Sequence, residues 1–74
     1  MANPLQDRFA EILLDRIRSD TYPSVTQMDM LEAVASPRMR VAFVLELMEK
    51  IEDDPRPSIP MMNRARRLIA EFGD

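Results

Sequence analysis

The sequence has 74 residues, contains neither cysteine nor histidine, and carries a net charge of −3. It can therefore form no disulfide or thiolate metal site and lacks the commonest general base, so we predict a non-enzymatic protein without metal or cofactor. The negative charge opposes a dedicated nucleic-acid-binding role. The longest apolar run, residues 41–45, is too short to cross a membrane. Since the first residues show no signal-peptide pattern, we predict a cytoplasmic protein.

The composition predicts an all-α fold. Glycine occurs once, and the interior segments are rich in Leu, Met, Ala, Glu and Arg, which are good helix formers. No run alternates between apolar and polar residues over a strand length. We therefore predict a single helical domain over residues 1–74, with four helices in a compact bundle.

The first helix is predicted to begin at Asn3-Pro4, because an N-cap residue followed by proline is a common helix start. The helical pattern fades at Ser19-Asp20. The apolar residues recur at helical spacing and form one stripe, so this helix is predicted to bury one face. The stripe contains Leu5, Phe9, Ile12, Leu13 and Ile17.

The second helix is predicted over about residues 25–35. Tyr22 precedes Pro23 and is biased toward an extended backbone, which stops the first helix. Ser24 is the predicted N-cap, and Gln27 three residues later completes the pattern of a capping box. The apolar residues of this helix are Val25, Met28, Met30, Leu31, Val34 and Ala35.

The third helix is predicted from Ser36-Pro37 to about Asp53. It is apolar over most of its circumference, as is typical of a buried helix. Its apolar residues are Met39, Val41, Ala42, Phe43, Val44, Leu45, Leu47, Met48 and Ile51, and its polar residues are Arg38, Arg40, Glu46, Glu49, Lys50 and Glu52.

The fourth helix is predicted after Ser58, a further N-cap residue, and Gly73 is the predicted residue that ends it. It shows the clearest separation of apolar and polar sides in the sequence. One side carries Ile59, Met61, Met62, Ala65, Leu68, Ile69 and Phe72, and most of the other carries Asn63, Arg64, Arg66, Arg67 and Glu71.

The two halves of the sequence resemble each other at an offset of 34 residues. The turn at residues 20–28 matches residues 54–62 at its proline, serine, branched aliphatic and methionine positions. This predicts an internal duplication with half-repeats at about 3–35 and 37–72. The shared apolar positions form the predicted common core of the halves. They are Leu5, Phe9, Leu13, Leu14 and Ile17, matched by Met39, Phe43, Leu47, Met48 and Ile51.

The main functional hypothesis comes from the positions at which the repeats disagree. The third helix has Val41, Val44 and Leu45 where the first has polar or small residues, namely Asp7, Ala10 and Glu11. Contiguous apolar residues that are not needed for the core commonly mark an interface. We predict a protein–protein interaction module, either an adaptor or a homo-oligomer, that binds its partner through Val41, Val44, Leu45 and Met48.

Two further patterns give alternative interpretations. The arginines of the second half predict contacts to phosphates, which makes a small nucleic-acid-associated regulator the second hypothesis. The methionines at matching places in the two short helices suggest either an adaptable groove for an apolar peptide or gap-filling in a small core. The arginines are Arg56, Arg64, Arg66 and Arg67, and the methionines are Met28, Met30, Met61 and Met62.

Overall fold

The computed structural model of the chain describes residues 3–72, and within this range it forms four α-helices and no strand. The helices are α1 (Pro4–Ser19), α2 (Val25–Val34), α3 (Pro37–Asp53) and α4 (Ile59–Phe72). The predicted all-α fold is confirmed, and the helices end within one residue of the predicted positions. The predicted helix end at Gly73 lies outside the described residues. Among the described helices, none combines the length and apolar character needed to cross a membrane.

Each helix begins at a side chain that accepts a hydrogen bond from the first turn. Such caps satisfy backbone N–H groups that have no partner inside the helix. The cap bonds join Leu5 N to Asn3 Oδ1 (3.1 Å), Gln27 N to Ser24 Oγ (3.0 Å), Met39 N to Ser36 Oγ (3.3 Å) and Met61 N to Ser58 Oγ (3.2 Å). The four predicted cap residues therefore determine where the helices start.

One detail of the predicted caps is wrong. In a full capping box the side-chain oxygen of Gln27 would accept a hydrogen bond from the backbone N–H of Ser24. The backbone N–H of Gln27 does donate to Ser24, but its side-chain oxygen Oε1 is buried and accepts no hydrogen bond. α2 is therefore capped by the serine alone.

The chain divides into two compact units, residues 1–40 and residues 41–74, and the division falls inside α3. In the first unit α1 packs against α2. The buried apolar side chains of this unit lie at helical spacing on one side of each helix, so burial of these faces holds the pair together. They are Ala10, Leu13, Leu14 and Ile17 on α1 and Met28 and Leu31 on α2.

The second unit contains most of α3 and all of α4. Its buried apolar side chains are also at helical spacing, and Phe43, Leu47 and Leu68 are fully buried. The remaining three are small or flexible side chains, which fill the space between larger ones. They are Val44 on α3 and Met61 and Ala65 on α4.

The predicted common core is wrong at three positions. Leu5 and Phe9 of the first half and Met48 of the second were predicted to belong to the common core, but they are exposed by 82%, 42% and 46%. The reason is that the equivalent helices α1 and α3 bury faces that are rotated relative to each other about the helix axis. α1 buries Leu14 and exposes Phe9, whereas α3 buries Phe43 and exposes Met48.

Candidate interaction surface on the third helix

The residues of α3 that were predicted to bind a partner divide between two sides of the helix. Val41, Leu45 and Met48 are exposed, Leu45 by 59%. Val44 is buried and adds nothing to the exposed surface, and its role in partner binding stays a prediction. It lies one residue before Leu45, about 100° around the helix, on the side that carries Phe43 and Leu47. The surface available to a partner consists of the other three residues, which we call the α3 strip.

The α3 strip is a continuous line along the helix. Its residues are spaced by four and then three positions, so their side chains follow one another on the same face. Seven residues of helix correspond to a length of about 10 Å. Apolar side chains that line up in this way on an exposed helix face match the seam along which two helices pack.

Charged residues mark both ends of the α3 strip. Arg38 lies three residues before Val41, and Glu52 lies four residues after Met48, so both continue the same line. Both side chains are exposed. Neither of them makes a hydrogen bond or ion pair with another residue in the range 3–72. Near the acidic end, the surface forms a shallow depression lined by Leu45, Met48, Glu49, Ile51, Glu52 and Asp53.

Two of the three positions of the α3 strip are acidic in α1, and the third, Leu14, is buried there. When the two halves are aligned at the offset of 34 residues, Val41 and Leu45 correspond to Asp7 and Glu11. Glu11 is exposed and lies 3.7 Å from Arg8 in a surface ion pair. These two positions of α1 therefore have no need of an apolar cover, whereas the equivalent positions of α3 have apolar side chains in contact with solvent.

The arginines predicted to bind phosphates are only partly brought together. Arg64, Arg66 and Arg67 line one shallow area on α4, together with Pro60, Asn63 and Ala70. Arg56 is not part of this lining. Arg67 is engaged within the helix, because its Nη1 lies 3.7 Å from Glu71 Oε2, and Arg64 is not free of interactions either. The grouping contains no aromatic side chain on which a nucleotide base could stack.

The methionines of the short helices have different environments. Met28 and Met61 are buried core residues, whereas Met30 is exposed. Since the equivalent pair lies in the cores of the two units, gap-filling explains these two residues without a ligand.

Two features were missed by the sequence interpretation. The first is a pair of charged side chains on the buried side of α3: Lys50 Nζ lies 3.7 Å from Glu46 Oε2, and the two side chains are only 11% and 15% exposed. The spacing of four residues was visible in the sequence, but its burial was not. The second is the exposure of apolar residues outside the α3 strip, which include Leu5, Ile12, Val25, Ile59, Ile69 and Phe72.

Comparisons with known proteins bear on neither site. No protein-family model matches the chain, and no curated protein or solved structure shows significant similarity to it. Within residues 3–72, no group of three or more acidic side chains is arranged to hold a metal ion.

Proposed function

We propose that the protein is a small non-enzymatic protein–protein interaction module that binds its partner through the α3 strip. One observation carries the proposal: Val41, Leu45 and Met48 are exposed along one line of α3, and the first two stand where the other half has the acidic residues Asp7 and Glu11. Exposing this face has a cost, because complete burial of a large apolar side chain contributes about 1.5–3 kcal/mol, and roughly half of that remains to be gained for each of these half-exposed side chains. A partner that covers the strip recovers this free energy.

The size of the chain supports the same proposal. A 74-residue chain is near the lower limit at which one core is sufficient for stability, and no disulfide can add to it because cysteine is absent. Association with a second protein is a common way in which such short chains gain buried apolar area.

The test is the substitution Leu45→Glu. The equivalent residue of α1 is Glu11, so a glutamate is already accepted at this place in the repeat, and we expect the variant to remain folded. The proposal predicts that self-association, or retention of partner proteins from the native cell, falls by at least about tenfold, because a charge would be buried at the centre of the contact.

The matched control is Leu5→Glu. Leu5 is even more exposed than Leu45 and lies on a different helix, α1. The control should keep wild-type association and wild-type helical content by circular dichroism. A folded Leu45→Glu protein with unchanged mass in solution and unchanged bound partners would contradict the proposal.

A second candidate function rests on α4. Three arginines line one shallow area there, as expected for a surface that contacts phosphates. Two observations count against it: the net charge is −3, and Arg67 already lies beside Glu71. The α3 strip therefore supports the preferred function, and nucleic-acid association is the alternative.

A further inference from the structure

We propose that the partner of the α3 strip is the α3 strip of a second copy of this chain, bound antiparallel in a twofold-symmetric dimer. This inference rests on the proposed function and specifies its partner. It is carried by the order of the charges on α3, which suits another α3 running in the opposite direction.

Two charges that continue the α3 strip, Arg38 and Glu52, are placed against the dipole of their own helix, although Lys50 in the last turn is placed with it. Acidic groups are favoured near a helix N-terminus and basic groups near its C-terminus. α1 follows this rule, with Asp7 in its first turn and Arg16 and Arg18 in its last. On the line of the α3 strip the order is reversed: Arg38 is in the first turn and Glu52 in the last.

This reversed order is unfavourable within one helix and favourable between two antiparallel helices. In such a pair, the basic start of each helix meets the acidic end of the other, and the opposite dipole ends also meet. A parallel pair would place arginine beside arginine and glutamate beside glutamate. The charges therefore select the antiparallel orientation.

The positions along α3 fit this pairing. α3 is uninterrupted from Pro37 to Asp53, and Leu45 is its middle residue. Arg38 and Glu52 are each seven residues from Leu45, which corresponds to about 10 Å along the axis. A twofold axis beside Leu45 therefore places Arg38 of one copy level with Glu52 of the other, and symmetry forms this pair twice.

The apolar part of the α3 strip is also complementary to itself in this arrangement. Leu45 lies against its own copy at the axis, and Val41 lies on the same side of the axis as Met48 of the partner. Spacings of three and four residues suit a shallow crossing angle of about 20°. A contact of this length lies at the small end of specific interfaces, below about 1,200 Å² in total, so we expect a dimer with a dissociation constant in roughly the micromolar range.

The experiment reverses the charges one at a time. In Arg38→Glu, both intermolecular pairs become glutamate beside glutamate; in Glu52→Arg, both become arginine beside arginine. We expect the dissociation constant of the dimer to rise by up to about tenfold in each single variant, as measured by sedimentation equilibrium at low salt. An equimolar mixture of the two variants should regain wild-type association as a heterodimer, as should the double variant R38E/E52R.

The design separates association from folding. Each single substitution places a charge at the helix end that the dipole favours, so α3 of the monomer should not lose helix, as circular dichroism can verify. The control is Arg66→Glu on α4, which changes the net charge by the same amount as Arg38→Glu and should leave the dissociation constant of the dimer unchanged.

The outcomes distinguish this inference from the proposed function. A wild-type chain that stays monomeric up to millimolar concentration contradicts the proposed dimer. So does a dimer whose dissociation constant is unchanged by either charge reversal and by mixing the two variants. If in either case Leu45→Glu still abolishes the retention of another protein, the proposed function stands and its partner is a different protein. If Leu45→Glu changes nothing, both fail together.

Discussion

At the scale of single residues, the feature that departs furthest from the sequence pattern is the Glu46–Lys50 pair on α3. Charged residues are almost never fully buried unless they are paired. These two lie 3.7 Å apart with little exposure, because Glu46 and Lys50 are three residues after Phe43 and Leu47 and so share the buried side of the helix. Removing one partner leaves the other charge poorly solvated.

We therefore expect Lys50→Met to lower the free energy of unfolding by roughly 2 kcal/mol, somewhat less than the ~3–5 kcal/mol seen when a fully buried pair is broken. The double variant E46L/K50M should lose less than Lys50→Met alone, because neither poorly solvated charge remains. Urea denaturation measures both. A single variant as stable as wild type would show that the pair is effectively solvated.

The control for this prediction is Arg8→Met. Arg8 and Glu11 on α1 are also 3.7 Å apart, but their side chains are 72% and 60% exposed. Surface pairs of this kind contribute little, so the control should be nearly neutral. The comparison isolates the effect of burial, since the distance is the same.

At the scale of the helices, the caps explain why the boundaries were predictable. Asn3, Ser24, Ser36 and Ser58 act over two or three residues, and the adjacent prolines restrict the backbone just as locally. The buried faces were less predictable, because they depend on what packs against each helix. Phe9 and Phe43 occupy equivalent positions in the sequence, yet one is half exposed and the other fully buried.

The serine caps of α2 and α4 provide a test at this scale. Ser24→Ala and Ser58→Ala should each lower the free energy of unfolding by about 1 kcal/mol, because a backbone N–H of the first turn loses its partner. Ser19→Ala is the control: Ser19 Oγ donates to the carbonyl of Asp15 within α1, a bond that contributes little to a helix. Chemical denaturation should show two destabilised variants and one unchanged. Equal losses in all three would contradict the assignment of the caps.

At the scale of the whole molecule, the net charge of −3 opposes the alternative function. A nucleic-acid-binding protein usually presents a strong excess of positive charge, whereas here three arginines on α4 must act within an acidic chain. We expect the wild-type protein not to be retained on immobilised DNA or RNA at low salt. Retention that weakens with salt and is lost when Arg64, Arg66 and Arg67 are replaced by glutamine would instead establish the alternative.

The candidate site was also predictable only in part. Val41, Leu45 and Met48 were predicted to meet a partner and are exposed, whereas Val44 is buried. Comparing the two half-repeats identified the apolar residues of α3 that have no apolar counterpart in α1. It did not show which of them face the core and which face solvent. The order of Arg38 and Glu52 relative to the helix dipole was present in the sequence, but it became informative only when both residues were known to continue the line of the α3 strip.

The matching helix boundaries bear on the evolutionary origin of the chain. The last residues of α1 and α3 are 34 positions apart, and the first residues of α2 and α4 are also 34 positions apart. If this reflects a gene duplication, the ancestor was a single hairpin of two helices. A chain below about 40 residues usually cannot fold without a partner, so that ancestor would have been an obligate assembly of identical hairpins. Fusion would have joined two such hairpins in one chain. The equivalent positions then diverged, because α1 carries Asp7 and Glu11 where α3 carries Val41 and Leu45.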